Sequence, residues 1–570
     1  MSHDMVLRIY GKAGEGIDLA GLILAEACVS AGYRVFTNAE HCNSIKGGNN
    51  DFQINVSTEQ ADSHGSAPHV ILALDQAGLR EAQDSAGDAV MLYDEIHSPA
   101  QVRENWISLP LRASALAHGG EIMKNMVGVG AVAAAIGLPI EKVTSRITAR
   151  LAAKGAELAE QNAFAALAGY GLMDKGVPSC PRLPAAAAAG KQVFANGNML
   201  AAMGALRAGC TFMSAYPMTP SSTILHFMAK HAKEYGVSVL HVEDEIAAAN
   251  MAIGAGYAGS RSMTATSGGG YALMSEAVSF AGMIEAPVVF FEVQRPGPST
   301  GLPTRTGQGD LRQVLHAGQG SFPHIVISPT NHEECFACGY EAFDLAERYQ
   351  CPVTVLMEKY LAENYASLPY PDLKNAALNR GKRYVGKTNS EPFLRYLVTE
   401  DGISPRSVPG EAGGEHTASS YEHREDGSGT EDPAEVRLQN GKRLQKTTSA
   451  AAQVPEATIL GPVDADLTLV CWGGTRGPAC DAAKLLTAQG TPTNVIAIRY
   501  IRPLPNNIGA LLSAARRLVL VEGNAIGQLG GWLREQTGID IKENILDASG
   551  RPFTPQMILV SLNSLLAGHI

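Results

Sequence analysis

No stretch of this chain reaches the ~18 consecutive apolar residues that a membrane-crossing helix requires. The most apolar-looking run, Met126 to Leu138, is too short and is rich in glycine and alanine. The opening Met1-Ser-His-Asp-Met-Val-Leu-Arg-Ile lacks the charged-then-apolar layout of a secretory signal. Together these absences predict a cytoplasmic protein with no membrane contact. Net positive charge is also missing. The formal charge is -11, which argues against nucleic acid and against an acidic lipid surface as partners. Nor is there a disulfide framework, because nine cysteines lie scattered through 570 residues, as reduced thiols do. The single Cys-X-X-Cys, Cys335 and Cys338, has no second pair of ligands beside it. Both cysteines share a helical face with Ala342 and Leu345, so they are expected to pack in a core rather than hold a metal or cluster.

What is present is an ordinary α/β composition, 45% hydrophobic and 18% charged with 60 glycines, in a chain long enough for three or four domains. Residues 1–180 alternate strand and helix signals and predict a parallel sheet. Met5–Tyr10 reads as a strand, Gly11-Lys-Ala-Gly-Glu-Gly16 as a turn, Ile17–Gly32 as a helix, and His69–Leu74 and Ala89–Tyr93 as further strands. Proline and alanine dominate Val177–Gly190, a linker composition. Residues 181–386 alternate again, with strands expected at Ser238–Val242, Ser262–Thr266, Pro287–Val293, His324–Ser328 and Pro352–Leu356. A doubly wound sheet follows, with its working residues at the carboxyl ends of strands. Residues 387–457 break the pattern, and Glu411–Glu431 alone reads as disordered on composition. Residues 458–570 resume it with Asp466–Gly474, Thr493–Ile498 and Arg517–Glu522.

The stretch from Ser214 to Asp310 carries the chemistry. Ser214-Ala-Tyr-Pro-Met-Thr-Pro-Ser-Ser222 is a tight turn in which two prolines restrict the backbone on both sides of the Thr219 hydroxyl. The acidic strand end Glu243-Asp-Glu245 follows, then a small-residue helix, Ile246–Ala258, beside which a ring can approach closely. Ser267 leads into a Gly268-Gly-Gly270 turn, and Arg295 follows Phe290-Phe-Glu-Val-Gln. A carboxylate, a fixed hydroxyl and a guanidinium on successive strand ends suit a cationic heterocycle and an anionic substrate. Taken singly, each has a plainer reading: a helix-start acid, a turn-stabilising hydroxyl and a surface ion pair.

The Tyr216-Pro-Met-Thr-Pro220 turn followed by Glu243-Asp-Glu-Ile-Ala-Ala248 resembles the pyrimidine-binding domain in the alpha subunit of 2-oxoacid:ferredoxin oxidoreductases. The resemblance extends over nearly the whole chain and is nearest to the 2-oxoglutarate type, in which a gamma-like domain precedes the alpha part. It implies several doubly wound parallel-sheet α/β domains. These are a gamma-like domain at 1–180, a thiamine pyrimidine-binding domain at 181–386, an ordered connection at 387–457 packed near a partner subunit, and a transketolase C-terminal-like domain at 458–570. Such enzymes use thiamine diphosphate to cleave a 2-oxo acid, pass electrons to iron–sulfur clusters and make acyl-CoA.

By the same resemblance Glu245 would hydrogen-bond the aminopyrimidine ring, while Thr219 and Arg295 would hold the substrate carboxylate. Tyr216, Pro217, Ser267 and Gly268 would line the cofactor. Arg305 and Arg312, flanking Thr306-Gly-Gln-Gly-Asp310, would supply charge for the second carboxylate of 2-oxoglutarate, or else pair with acids at an interface. The Gly11–Gly16 turn admits a pyrophosphate, and the family links this domain to coenzyme A, with Lys12 and Lys46 as phosphate contacts. Ala13 and Glu15 depart from the family's glycine turn. A nicotinamide enzyme is disfavoured, because the expected strand Arg34–Asn38 ends without an acid.

No Gly-Asp-Gly with a suitably spaced Asn is present to hold a magnesium diphosphate; Asp401-Gly and Asp426-Gly both lack the first glycine. A beta subunit carrying the diphosphate, Mg2+ and a [4Fe–4S] cluster is therefore implied, with ferredoxin as electron acceptor and a dimer of alpha–beta heterodimers as the assembly. Alternatives are another 2-oxo acid (pyruvate, branched-chain or aryl) or a non-catalytic scaffold subunit.

Overall fold

The computed structural model describes residues 5–40, 49–65, 67–173, 180–186, 190–370, 378–386 and 392–566. They divide into two compact units. The first comprises Met1–Ala195, Asn364–Pro371 and Thr554–Met557; the second comprises Asn196–Glu363, Asp372–Phe553 and Ile558–Ile570.

The first unit carries a mixed sheet. Its strands run in the spatial order Trp106–Leu109, Val90–Asp94, Val70–Ala73, Met5–Lys12, Asn49–Ser57, Arg34–Glu40, Tyr365–Pro369 and Gln192–Asn196. Met5–Lys12 pairs parallel with Val70–Ala73 and antiparallel with Asn49–Ser57, so only one side of this sheet is the expected parallel array. Arg34–Glu40 runs two residues past its expected end and does finish on an acid, Glu40. It pairs antiparallel with Asn49–Ser57, so it is not the parallel second strand that presents a ribose-binding acid in a dinucleotide fold. Helices Ile17–Ser30 and Lys124–Ile136 are buried against the sheet by Ile23, Leu24, Val127 and Val129.

The second unit holds two sheets. Seven strands lie in the order Tyr500–Arg502, Ile325–Ile327, Pro352–Glu358, Val288–Gln294, Ser262–Thr266, Phe212–Ala215 and Ser238–His241. Val288–Gln294 and Pro352–Glu358 are buried at every position, as central parallel strands covered on both faces must be. Five more strands, Ile459–Leu460, Thr493–Ile498, Leu467–Trp472, Leu518–Glu522 and Glu543–Leu546, form the C-terminal sheet. The C-terminal part also lends Tyr500–Arg502 to the larger sheet, antiparallel to Ile325–Ile327. One apolar core runs through both, from Ile253 and Phe290 to Trp472 and Trp532.

The described part of the polar 387–457 connection is folded. Its helix, Pro433–Ala451, is capped by Asp432, which accepts from the backbone N–H groups of Ala434 and Glu435. That helix places Lys442 and Lys446, both buried, 2.6 Å from the two oxygens of buried Glu285. Tyr396 packs on His423 with ring centroids 3.9 Å apart. Buried ion pairs and ring contacts, invisible to composition, hold this stretch. Cys335 and Cys338 are fully buried in the His332–Tyr349 helix.

Candidate active site

Four adjacent parallel strands deliver the site. Val288–Gln294, Ser262–Thr266, Phe212–Ala215 and Ser238–His241 are neighbours in that order. Their carboxyl ends lead respectively into Arg295, Ser267–Gly270, Tyr216–Pro220 and Glu243–Glu245. Residues up to 79 positions apart in sequence thus reach one edge of one sheet, where ligands of open α/β sheets bind.

Glu245 is the first residue of the Glu245–Tyr257 helix. Asp244 is its N-cap and accepts from the Ala247 N–H at 2.7 Å, which satisfies an otherwise orphaned helix donor. Glu245 is therefore released from capping. It is only 5% exposed, and among the described residues its carboxylate accepts no hydrogen bond. The glycine turn lies against it. A Cβ on Gly270 would sit 2.8 Å from Glu245 Cγ and 2.1 Å from Thr266 Oγ1, whereas one on Gly269 would meet nothing within 4 Å. A bare backbone surface beside a sequestered, unpaired carboxylate fits a flat heteroaromatic ring whose nitrogen donates to that carboxylate.

Thr219 and Arg295 come together. Arg295 Nη1 donates to the Thr219 carbonyl at 2.7 Å, and both residues retain solvent access. The turn is fixed from below: Asn198 Nδ2 donates to the Pro220 carbonyl at 2.9 Å, and the Ser221 hydroxyl to the Met218 carbonyl at 2.7 Å. Tyr216 is 38% exposed, with its ring 6.3 Å from that of His241; Pro217 is partly buried. Ser214 ties its strand to the Glu245 helix by donating to the Ala248 carbonyl at 2.7 Å. Ser267 and Gly268 are buried, and the Ser267 hydroxyl has no partner among the described residues.

Several residues at this edge escaped the sequence reading. Glu292 is fully buried, and burial, with Asp310 and Glu358 nearby, pushes its carboxyl well above the usual range. An acid inside the apolar run Val288-Val-Phe-Phe-Glu-Val293 was the available signal. Asp310 is raised to about 6, chiefly by burial, against the opposing pull of Glu292 and Arg295. Gln308 clamps its segment to the C-terminal sheet: Nε2 donates to the Trp472 carbonyl at 3.0 Å, and Oε1 accepts from the Gly523 N–H at 2.8 Å.

The Cβ of Arg305 is packed 3.0 Å from the Cβ position of Gly550. Arg312 pairs with Glu535 of the same chain at 2.7 Å and lies over the Trp532 ring, neither the substrate contact nor the interface pair that was expected. In the first unit Lys12 is exposed at the end of its strand, and its N–H donates to Asp75 at 2.7 Å. Glu15 of the same turn is matched by Lys124 at 3.2 Å, a buried cation that the sequence reading missed. Lys46 lies outside the described residues.

Residues 203–442 match the family model described as pyruvate flavodoxin/ferredoxin oxidoreductase, thiamine diphosphate-binding. Residues 6–172 match pyruvate ferredoxin/flavodoxin oxidoreductase, and 456–535 match the transketolase C-terminal domain. The 2-oxoacid:ferredoxin oxidoreductase subunit alpha of a Sulfolobus species is 30% identical over 96% of this chain and 94% of its own. A Mycobacterium tuberculosis 2-oxoglutarate oxidoreductase subunit, KorA, is 29% identical over 100% and 92%. Among solved structures, 2-oxoglutarate:ferredoxin oxidoreductase from Magnetococcus marinus, with 2-oxoglutarate, coenzyme A and succinyl-CoA bound, aligns over 98% of this chain and 99% of that one. Its TM-score is 0.92 and its identity 31%. The sheet edge that gathers Thr219, Glu245 and Arg295 lies within the thiamine-binding match, and the likeness to relatives runs the length of the chain: it belongs to the alpha subunits of the 2-oxoacid:ferredoxin oxidoreductase family.

Proposed function

We propose that this chain is the subunit of a 2-oxoglutarate:ferredoxin oxidoreductase that binds the aminopyrimidine half of thiamine diphosphate and the 2-oxo acid. The observation that carries this reading is Glu245, sequestered and unpaired against the Gly268–Gly270 turn, with the Thr219–Arg295 pair at the same sheet edge. When bound, thiamine diphosphate supplies a carbon nucleophile able to add to the keto carbon and accept its electrons on loss of carbon dioxide. Glu245 accepts a hydrogen bond from the aminopyrimidine ring and so favours the tautomer that takes up the cofactor's acidic proton. Arg295 presents a guanidinium to the substrate carboxylate while fixing the Thr219 main chain, which turns the hydroxyl toward the same anion. Tyr216, Pro217, Ser267 and Gly268 border the ring.

The diphosphate, Mg2+ and a [4Fe–4S] cluster belong in this proposal to a beta subunit, and ferredoxin receives the electrons. Apolar residues around Glu245 that face solvent, Ile246 at 50%, Met251 at 39% and Leu273 at 54% exposed, support a partner closing the cleft. Coenzyme A collects the acyl group as succinyl-CoA, with Lys12, and Lys46 from outside the described residues, as candidate phosphate contacts. The 2-oxoglutarate assignment draws on the names of the Mycobacterium relative and the Magnetococcus structure. The Sulfolobus relative, named for 2-oxo acids in general, favours a broader substrate range as the second reading.

The test is the co-purified complex assayed with a viologen dye, coenzyme A and a panel of 2-oxo acids. Preference for 2-oxoglutarate is expected, and comparable rates with pyruvate or branched acids would favour the second reading. Glu245→Ala is expected to abolish turnover while leaving the melting temperature nearly unchanged. Near-normal turnover in that variant would remove the assignment.

A further inference from the structure

Glu292 and Gln294 lie two residues apart on the Val288–Gln294 strand, so they point to the same face. Asp310 meets both. Its backbone N–H donates to Gln294 Oε1 at 3.0 Å, and its carboxyl lies within hydrogen-bonding reach of the Glu292 carboxyl. Yet Glu292 Oε1, Glu292 Oε2 and Asp310 Oδ2 are all buried with no donor among the described residues. Two carboxylates can only accept, so neither can satisfy the other while both are ionised. Like charges in a poorly solvated setting also repel strongly. A single proton resolves both conflicts, because a protonated carboxyl donates to its ionised neighbour.

The charges facing the pair decide which partner keeps the proton. Arg295 attracts the Asp310 carboxylate. Glu358, at the end of the adjacent Pro352–Glu358 strand, adds a third acid on the Glu292 side. Glu358 is itself raised to about 7 by burial, opposed by a hydrogen bond from the Gly474 N–H at 2.6 Å. Glu292 is therefore the acid and Asp310 the anion. Asp310 in turn underlies the site: a Cβ on Gly268 would lie 2.2 Å from Asp310 Oδ2, and Gln313 Nε2 holds the Gly268 carbonyl at 2.9 Å.

We propose that Glu292 and Asp310 share one proton at neutral pH as a carboxylic acid–carboxylate pair, and that the anionic Asp310 is a positioning residue for Arg295 and the Ser267–Gly270 turn. The positioning half rests on the function proposed above; the shared proton does not. The pair carries one negative charge, which Arg295 attracts, and it makes the turn's seat depend on a proton held on the buried Glu292 carboxyl.

Infrared spectroscopy of the full-length chain at pH 8.5 tests the proton directly. The wild type is expected to show the carbonyl stretch of an un-ionised carboxyl group, which Glu292→Gln removes and Glu358→Gln retains. Absence of that band from the wild type, which needs no variant to fold, overturns the shared proton, as does its survival in Glu292→Gln. In the assembled enzyme, Asp310→Asn is expected to raise the KM for the 2-oxo acid roughly tenfold, as loss of a charged hydrogen-bonding anchor does, with a smaller change in kcat. An unchanged KM overturns the positioning role and leaves the infrared result standing.

Discussion

The Arg295 guanidinium donates from Nη1 to the main-chain carbonyl of Thr219 at 2.7 Å, across 76 positions of sequence. One side chain therefore couples the end of the Val288–Gln294 strand to the turn after Phe212–Ala215, two strands away in the sheet. Arg295→Ala removes the observed brace together with the proposed anion contact. The expected result is a rise in KM for the 2-oxo acid of roughly ten- to a hundredfold, the range for a charged hydrogen bond. Arg295→Lys should recover little of it, since an ammonium cannot bridge carbonyl and carboxylate as a planar fork does. Steady-state kinetics of the assembled enzyme measure both.

Gly270→Ala places a methyl group 2.1 Å from Thr266 Oγ1 and 2.8 Å from Glu245 Cγ. Something must move, and Glu245 is the more accessible of the two. Overpacking of this kind costs about 1–3 kcal/mol, so the denaturation midpoint should fall. Turnover should fall further than stability alone explains. Gly269→Ala, with open space at its Cβ, is the comparison variant and should fold normally.

Lys12→Ala is expected to raise the KM for coenzyme A about three- to tenfold while leaving that for the 2-oxo acid unchanged, as an exposed charge contact warrants. The effect should shrink at high salt. A coenzyme A KM insensitive to both the substitution and the salt would place its phosphates elsewhere.

Glu522 accepts from Trp472 Nε1 at 2.9 Å and from the Leu529 N–H at 3.0 Å, and burial raises its carboxyl to about 7. Its folded pKa lies above the ordinary carboxylate value, so between roughly pH 4.5 and 7 the folded state holds a proton that the unfolded chain releases. Stability should therefore decline as pH rises through that window and level off above it. Thermal melts at pH 5, 6, 7 and 8 should show a shallower decline in Glu522→Gln than in the wild type.

Much of the fold was legible because its strands are apolar runs bounded by glycine and polar turns. Ser262–Thr266 and Thr493–Ile498 fall where expected, and the Glu245 helix begins one residue early because Asp244 takes the cap. The antiparallel half of the first sheet was not legible, since strand direction depends on which edge a returning segment joins. The ordered connection was implied by the family resemblance but not by composition, whose polarity hides the burial of Lys442 and Lys446 on Glu285. At this sheet edge, Thr219, Glu245 and Arg295 stood out as candidates through local turn and strand-end chemistry taken together with the family resemblance. Glu292, Asp310 and Gln308 did not, because their meaning lies in partners contributed by separate elements.

The order of residues along the chain was enough to determine which groups end each strand, since a two-residue period and proline–glycine turns are local properties. It also lacks a Gly-Asp-Gly motif, which is the ground for proposing that a second subunit holds the diphosphate. Only the tertiary structure decided that four of those strand ends adjoin, that Arg295 grips the Thr219 backbone, and that Arg312 pairs with Glu535. The physical reason is that hydrogen-bond partnership and burial are properties of pairs of segments. Side-chain chemistry fixes what a residue is able to do, and packing fixes which neighbour it does it with.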